Sequence, residues 1–130
     1  MTTADIVLMA AATLLFKHLV ADFLLQTSYQ AANKGLYGHP GGLAHALTHA
    51  AFTPLVFIVL PAAPKLALAI LASEYVWHYH QDWLKEQIVN RLKLEPSRHG
   101  FWWALGVDQF VHALTYLVMV YVLIHQRPSA

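Results

Sequence analysis

Residues 101–124 read FWWALGVDQFVHALTYLVMVYVLI, and Asp108 and His112 are the only charged or imidazole side chains in the run. A stretch this long and apolar is long enough to cross a bilayer as a helix. Its aspartate and histidine stand four residues apart, which puts them on one helical face. Such groups are costly in hydrocarbon and usually turn to a protein interior or a water-filled cavity. The stretch therefore predicts a membrane helix with a polar inner face, and it sets the expectation for the chain: an all-α integral membrane bundle.

Three further segments fit that reading, at residues 6–25, 43–60 and 66–94. The part of the third beyond residue 84 mixes Lys85, Glu86, Asn90, Arg91 and Lys93 into the pattern, so this helix is expected to run on past the membrane or along its interface. Asn33-Lys34-Gly35 and residues 38–42 (GHPGG) break the chain between the first two helices. Residues 61–64 (PAAP) and 96–100 (PSRHG) make the later breaks. Pro54 interrupts the second helix and predicts a kink. The expected fold is a single domain, residues 1–130, of four transmembrane helices at 6–25, 43–60, 66–94 and 101–124.

Each segment repeats the pairing: His18–Asp22, His45–His49, His78–Asp82 and Asp108–His112. The direction of each helix brings all four pairs to one side. At about 1.5 Å per residue they fall roughly 5–16 Å from the same helix ends. A single i,i+4 contact is worth only a few tenths of a kcal/mol. Burying three carboxylates costs about several kcal/mol each unless something offsets it. One shared polar site occupied by a cation satisfies both constraints.

Composition narrows the class. Of the 130 residues, 58% are hydrophobic and 12% charged, a low charged share for a soluble domain. A net charge of +1, without a basic stripe, argues against a nucleic-acid partner. The chain has no cysteine, so thiolate metal sites and disulfides are out. Asp5 and the missing basic n-region make the N-terminus read as a retained helix rather than a cleavable signal. Lys34, Lys85, Arg91, Lys93 and Arg98 lie on the side of the first and third loops, against Lys65 and Arg127 on the other. The positive-inside rule then puts the loops in the cytoplasm and the termini in the periplasm.

Histidine and aspartate are the standard nitrogen and oxygen ligands for divalent transition metals, and four-helix bundles build such sites from inward-facing side chains. The candidate ligands are His18, Asp22, His45, His49, His78, Asp82, Asp108 and His112, holding one or two ions, zinc first and manganese or iron as alternatives. Gln26, Glu74 and Gln109 are candidates to support these ligands, and Asp22, Asp82, Asp108 and Lys85 are candidate catalytic groups. Lys17 falls off the His18 face and is expected to snorkel. His80 lies opposite His78, while His39, His99 and His125 fall in loops or at an end.

The motifs His18-x3-Asp22-Phe23-x-Leu25-Gln26, Asn33-Lys34, His45-x3-His49, His78-x3-Asp82-x2-Lys85 and Asp108-Gln109-x2-His112 resemble a family of small bacterial inner-membrane proteins catalogued as domain of unknown function 3307. The resemblance spans essentially the whole chain and implies a multi-helix membrane protein without implying an activity. In arrangement alone the pattern is similar to membrane-bound metal-dependent hydrolases. The first expectation is a metal-dependent hydrolase acting on a lipid or amphiphilic ester near the cytoplasmic face, with membrane lipid as partner and a homo-oligomer open. The alternatives are a divalent-cation or proton transporter and, third, a haem-binding electron carrier.

Overall fold

The computed structural model describes residues 1–126, which are helical and contain no strand. Helix α1, Thr3–Leu19, starts at a capping box: the Thr2 hydroxyl accepts from the Asp5 N–H, and the Asp5 carboxylate accepts from the Thr2 N–H at 2.7 Å. It runs directly into a π-helical turn, Val20–Leu24, closed by Leu25 N–H donating to the Val20 carbonyl at 2.9 Å. Such turns are rare and occur often at functional sites. A second capping box, Thr27 with Gln30, opens a short helix α2, Ser28–Asn33. Gly38 adopts φ +75° in the turn that follows, a conformation glycine takes without penalty, and its N–H donates to the Tyr79 hydroxyl at 2.5 Å.

Helix α3, Pro40–Phe52, has proline in its first turn and His39 as its cap, with His39 Nδ1 accepting from Gly41 N–H at 3.0 Å. At Pro54 the helix tightens into a 3₁₀ turn, Thr53–Leu55, and continues as α4, Val56–Val59, so the expected interruption is there. Helix α5, Pro64–Arg91, is a single 28-residue rod. It stops where Lys93 turns left-handed (φ 48°) and Leu94 N–H reaches back to the Val89 carbonyl, a Schellman ending. Helix α6 is His99–His125.

The helices form a ring in which α3 packs on α5, α5 on α6, and α6 on α1, with α1 closing against α3 and α4. One end is filled by an apolar cluster including Leu14, Val56, Leu60, Ile70, Val120 and Leu123. The other end is filled by polar groups. Large apolar side chains such as Leu8, Phe16, Ile58, Leu68 and Phe110 are exposed around the outside.

Among the described residues, three stretches are long and apolar enough to cross a membrane: Thr3–Leu24, Pro40–Val59 and His99–His125. Four were expected. Helix α5 has the length but carries Glu74, His78, His80, Asp82, Lys85 and Glu86, which lower its hydropathy below that of its neighbours. Between the first helix and the expected break at Asn33-Lys34-Gly35, residues Ser28–Asn33 form the helix α2, which was not expected. Arg127, counted above in the charge balance, lies outside the described residues.

Candidate metal centre

The polar end is built by four helices. The π turn positions Asp22, α3 brings His45 and His49, α5 brings His78 and Asp82, and α6 brings His112. Their donor atoms converge in two groups, Asp22/His45/His49/His78 and His78/Asp82/His112, within each of which all atoms lie within 4.8 Å of one another. His78 belongs to both, so the donors form one contiguous set. All four histidines are buried, and His49 is fully so.

Distances within the set are short. His49 Nε2 is 2.9 Å and His45 Nε2 3.1 Å from Asp22 Oδ1, and His45 Nε2 is also 3.2 Å from Asp82 Oδ2. His112 Nε2 is 3.2 Å from Asp82 Oδ1, and His78 Nε2 is 3.5 Å from Asp82 Oδ2. The His49 and His78 rings stack with centroids 3.7 Å apart. Yet His45 Nε2 and His78 Nε2 are buried and make no hydrogen bond, because they approach the carboxylates off-angle. Buried polar atoms without a partner are rare and ask for an explanation. Nitrogen and oxygen ligands about 2.0–2.2 Å from a common metal stand about 3–3.5 Å apart without bonding each other. The donor set fits a divalent cation on that test.

His18 is different. Both amide hydrogens of Gln109 are used, donating to Asp22 Oδ2 at 3.1 Å and Asp108 Oδ2 at 3.3 Å, so Gln109 Oε1 must accept. His18 Nε2–H therefore donates to it at 2.9 Å, and Nδ1 accepts from the Tyr116 hydroxyl at 2.8 Å. The neutral ring has no free lone pair left. His18, expected as a ligand, stands outside the two donor groups, with its Nε2 3.1 Å from Asp22 Oδ2. Asp108 also stands outside the two groups: it is 3.5 Å from His112 Nε2, accepts from Gln81 at 3.2 Å, and lines a cleft.

That cleft, about 210 Å³, opens between the π turn, α2, α5 and α6, and Gln26, Lys34, Lys85 and Gln109 are among its lining residues. Lys34 is buried and donates to Gln26 Oε1 at 2.9 Å and Asp82 Oδ2 at 3.1 Å. Burial pulls its pKa down, but the Asp82 and Asp22 carboxylates more than compensate and hold it above its ordinary value. Lys85, expected beside Asp82, pairs instead with Glu86 at 2.5 Å.

Towards the apolar end, a separate polar cluster sits beneath the histidines. Lys17 is buried rather than snorkelling and forms an ion pair with Glu74, while the Thr53 hydroxyl also donates to Glu74. Both Lys17 and Thr53 reach the His49 carbonyl, each at 3.1 Å. Glu74, expected to support the histidine ligands directly, therefore acts on the backbone that carries His49.

The model of a family described as protein of unknown function (DUF3307) matches residues 10–130, nearly the whole chain. The chain belongs to the DUF3307 family. No curated protein and no solved structure matches it. Every site residue of this DUF3307 chain falls inside the matched region, so the site lies within the family domain.

Sequence reasoning singled out six residues that do converge (Asp22, His45, His49, His78, Asp82 and His112) together with Gln26 and Gln109 at their edge. It gave no role to Lys34, Thr53 or Tyr116. Two of these carried a signal: Thr53 stands four residues after His49, and Tyr116 four after His112, extending the spacing by one step. His80 stays outside the cluster, hydrogen-bonded to Tyr37 at 3.0 Å, as expected.

Proposed function

We propose that this protein is a membrane-embedded divalent-metal centre that hydrolyses an ester at the headgroup layer. Its inverted polarity supports placement in a bilayer: large apolar side chains cover the outside while ionisable groups fill one end of the interior. In this reading α5 is the fourth crossing, with Glu74, His78 and Asp82 facing inward and the end past residue 84 emerging from the membrane. Lys34, Lys85, Arg91, Lys93 and Arg98 at that end support a cytoplasmic placement in a bacterial inner membrane.

The single observation that carries the metal reading is the convergence of buried imidazole nitrogens, two without a hydrogen-bond partner, on two shared carboxylates. An imidazole–carboxylate donor set suits zinc first, then manganese or iron. Asp22, His45, His49, His78, Asp82 and His112 would hold the divalent cation, which when bound would supply Lewis acidity to the ester oxygen and to water near neutral pH.

The chain's own groups supply the rest. Asp108, at the cleft and outside the donor groups, takes a proton from water as the water oxygen bonds to the phosphorus or carbonyl carbon. The ester bond then breaks, and Asp108 returns the proton to the departing oxygen. Lys34 and Lys85 hold negative charge at the cleft. Gln109 and His18 keep Asp22 in place.

Transport is the weaker reading because the apolar cluster around Leu14, Leu60 and Leu123 closes the far half of the bundle. Haem is weaker still, since His49 and His78 stack face to face at 3.7 Å and leave no slot between them.

The test is elemental analysis of protein purified without added metal, beside His78→Ala and Asp108→Asn. Stoichiometric metal is expected in the parent and in Asp108→Asn, with loss in His78→Ala, which removes the donor common to both groups. Ester turnover is expected in the parent alone. A metal-free parent, or one whose turnover survives in His78→Ala, overturns the proposal.

A further inference from the structure

Two cavities of opposite character meet at the same two residues. The polar cleft of about 210 Å³ and an apolar groove of about 730 Å³ along the α5–α6 seam share Asp108 and Lys85 as lining residues. Leu84, Ile88, Trp103 and Val107 are exposed along that groove. At Trp77 it adjoins a second apolar groove, of about 780 Å³, further along the same seam. A lysine- and amide-lined chamber and an outward-facing hydrocarbon-lined slot therefore stand side by side at Asp108, the proposed proton acceptor.

We propose that the substrate is a single-chain anionic amphiphile that straddles this junction, with its headgroup in the polar cleft and its tail along α5 and α6. The inference rests on the metal reading above and deepens it. Lys34, Lys85 and the amide of Gln26 are the cleft's hydrogen-bond donors to a charged headgroup. The slot on the far side of Asp108 and Lys85 is apolar and open to the surroundings, as a tail requires. The ester to be cut then lies beside Asp108, where the two cavities join.

Charge makes the inference conditional in a useful way. Asp22, Asp82, Glu86 and Asp108 face Lys34 and Lys85, four carboxylates against two ammonium groups, so with the histidines neutral the metal-free set carries two net negative charges and repels an anion. One divalent cation neutralises it, and the lysines at the cleft then decide headgroup preference. Anion selectivity therefore requires bound metal, whereas the tail groove is present either way.

The experiment uses the full chain in nanodiscs of zwitterionic lipid, with metal content measured on the same sample. A tail-brominated dodecyl phosphate and its phosphocholine counterpart are compared as quenchers of tryptophan fluorescence. The parent and a W77F/W83F/W102F variant that keeps only Trp103 are both measured. With metal bound, the anionic probe is expected to quench Trp103 at about fivefold lower concentration than the zwitterionic one, the preference one interfacial lysine confers. Lys85→Gln should reduce that preference to near unity, and unlabelled dodecyl phosphate, but not inorganic phosphate, should relieve the quenching. Ala104→Phe, which fills the groove, should weaken quenching by both probes without changing metal content.

Equal quenching by the two probes in metal-loaded protein overturns the amphiphile inference and leaves the metal reading standing. A metal-free protein that still prefers the anionic probe overturns the metal reading and keeps the groove assignment. Loss of both metal and preference overturns both. If the tryptophan variant does not fold, the same comparison on the parent's total fluorescence decides.

Discussion

The pair Lys17–Glu74 gives the sharpest test of how this interior is held together. Both side chains are buried, and Lys17 is additionally held by the His49 carbonyl. Glu74→Gln keeps the shape and leaves Thr53 a hydrogen-bond acceptor but strands a buried ammonium. Breaking a buried pair in this way costs about 3–5 kcal/mol. A chain of this size loses roughly 3–5 °C of melting temperature per kcal/mol, so the midpoint should fall by about 10–20 °C. Lys17→Met in the same background removes the stranded charge and should recover most of the loss, giving a coupling energy of at least about 2 kcal/mol. The assay is thermal unfolding of the four cycle members in detergent, each with chelator present so that metal binding does not enter. A Glu74→Gln loss under about 1 kcal/mol, or additive single-variant effects, would refute the claim that the pair is a desolvated, mutually dependent unit. Metal content is the second readout: Glu74 lies outside both donor groups, so Glu74→Gln should retain metal. Loss of metal without loss of fold would put Glu74 among the ligands.

Three further outcomes follow from the same geometry. His18→Ala should lower metal affinity by about 10- to 100-fold while leaving saturating stoichiometry intact, because His18 orients Asp22 rather than ligating; titration against a competing chelator measures it. Thr27→Ala removes the cap of α2 and should cost about 1 kcal/mol, seen as faster amide exchange confined to residues 28–34. Gly42→Val sets a Cβ 3.2 Å from Lys34 Cα and 3.3 Å from the Tyr79 ring, a tight contact with backbone, and should destabilise by about 1–3 kcal/mol in thermal unfolding.

The helices and the shared depth of the four pairs were legible because a 3.6-residue period and the length of an apolar run are local properties. Two ends of one pair can be seen on one helix. Lys17 was misread for the complementary reason. It sits one residue from His18, off that face, and its partners, Glu74 and the His49 carbonyl, lie on α5 and α3, so only the packing of three elements reveals it. The π turn that carries Asp22 has neither proline nor glycine to announce it, in contrast with Pro54 at the 3₁₀ turn. Helix α2 had a signature, Thr27-x-x-Gln30, but its six residues lack the apolar run that usually accompanies one. Lys34 was visible as a break residue, a loop charge and part of a family motif, none of which ties it to the site. What gives it a role is that α2 folds back over the cleft and delivers it to Asp82.

Electroneutrality decides how many ions the interior can accept. Lys17 balances Glu74, and Lys85 balances Glu86. The remaining buried charges are the carboxylates of Asp22, Asp82 and Asp108 against the single ammonium of Lys34, a deficit of two with the histidines neutral. One divalent cation closes that deficit. Two would leave an excess of two positive charges in a low-dielectric interior, where uncompensated charge costs several kcal/mol or more. The donor arrangement agrees. His78 is common to both groups, and a neutral imidazole ligates through one nitrogen, so the two groups are overlapping halves of one coordination set rather than two separate seats. On the proposed metal reading the interior suits a single divalent ion, and a second would enter only together with an anion, the charge type the adjoining cleft is proposed to admit.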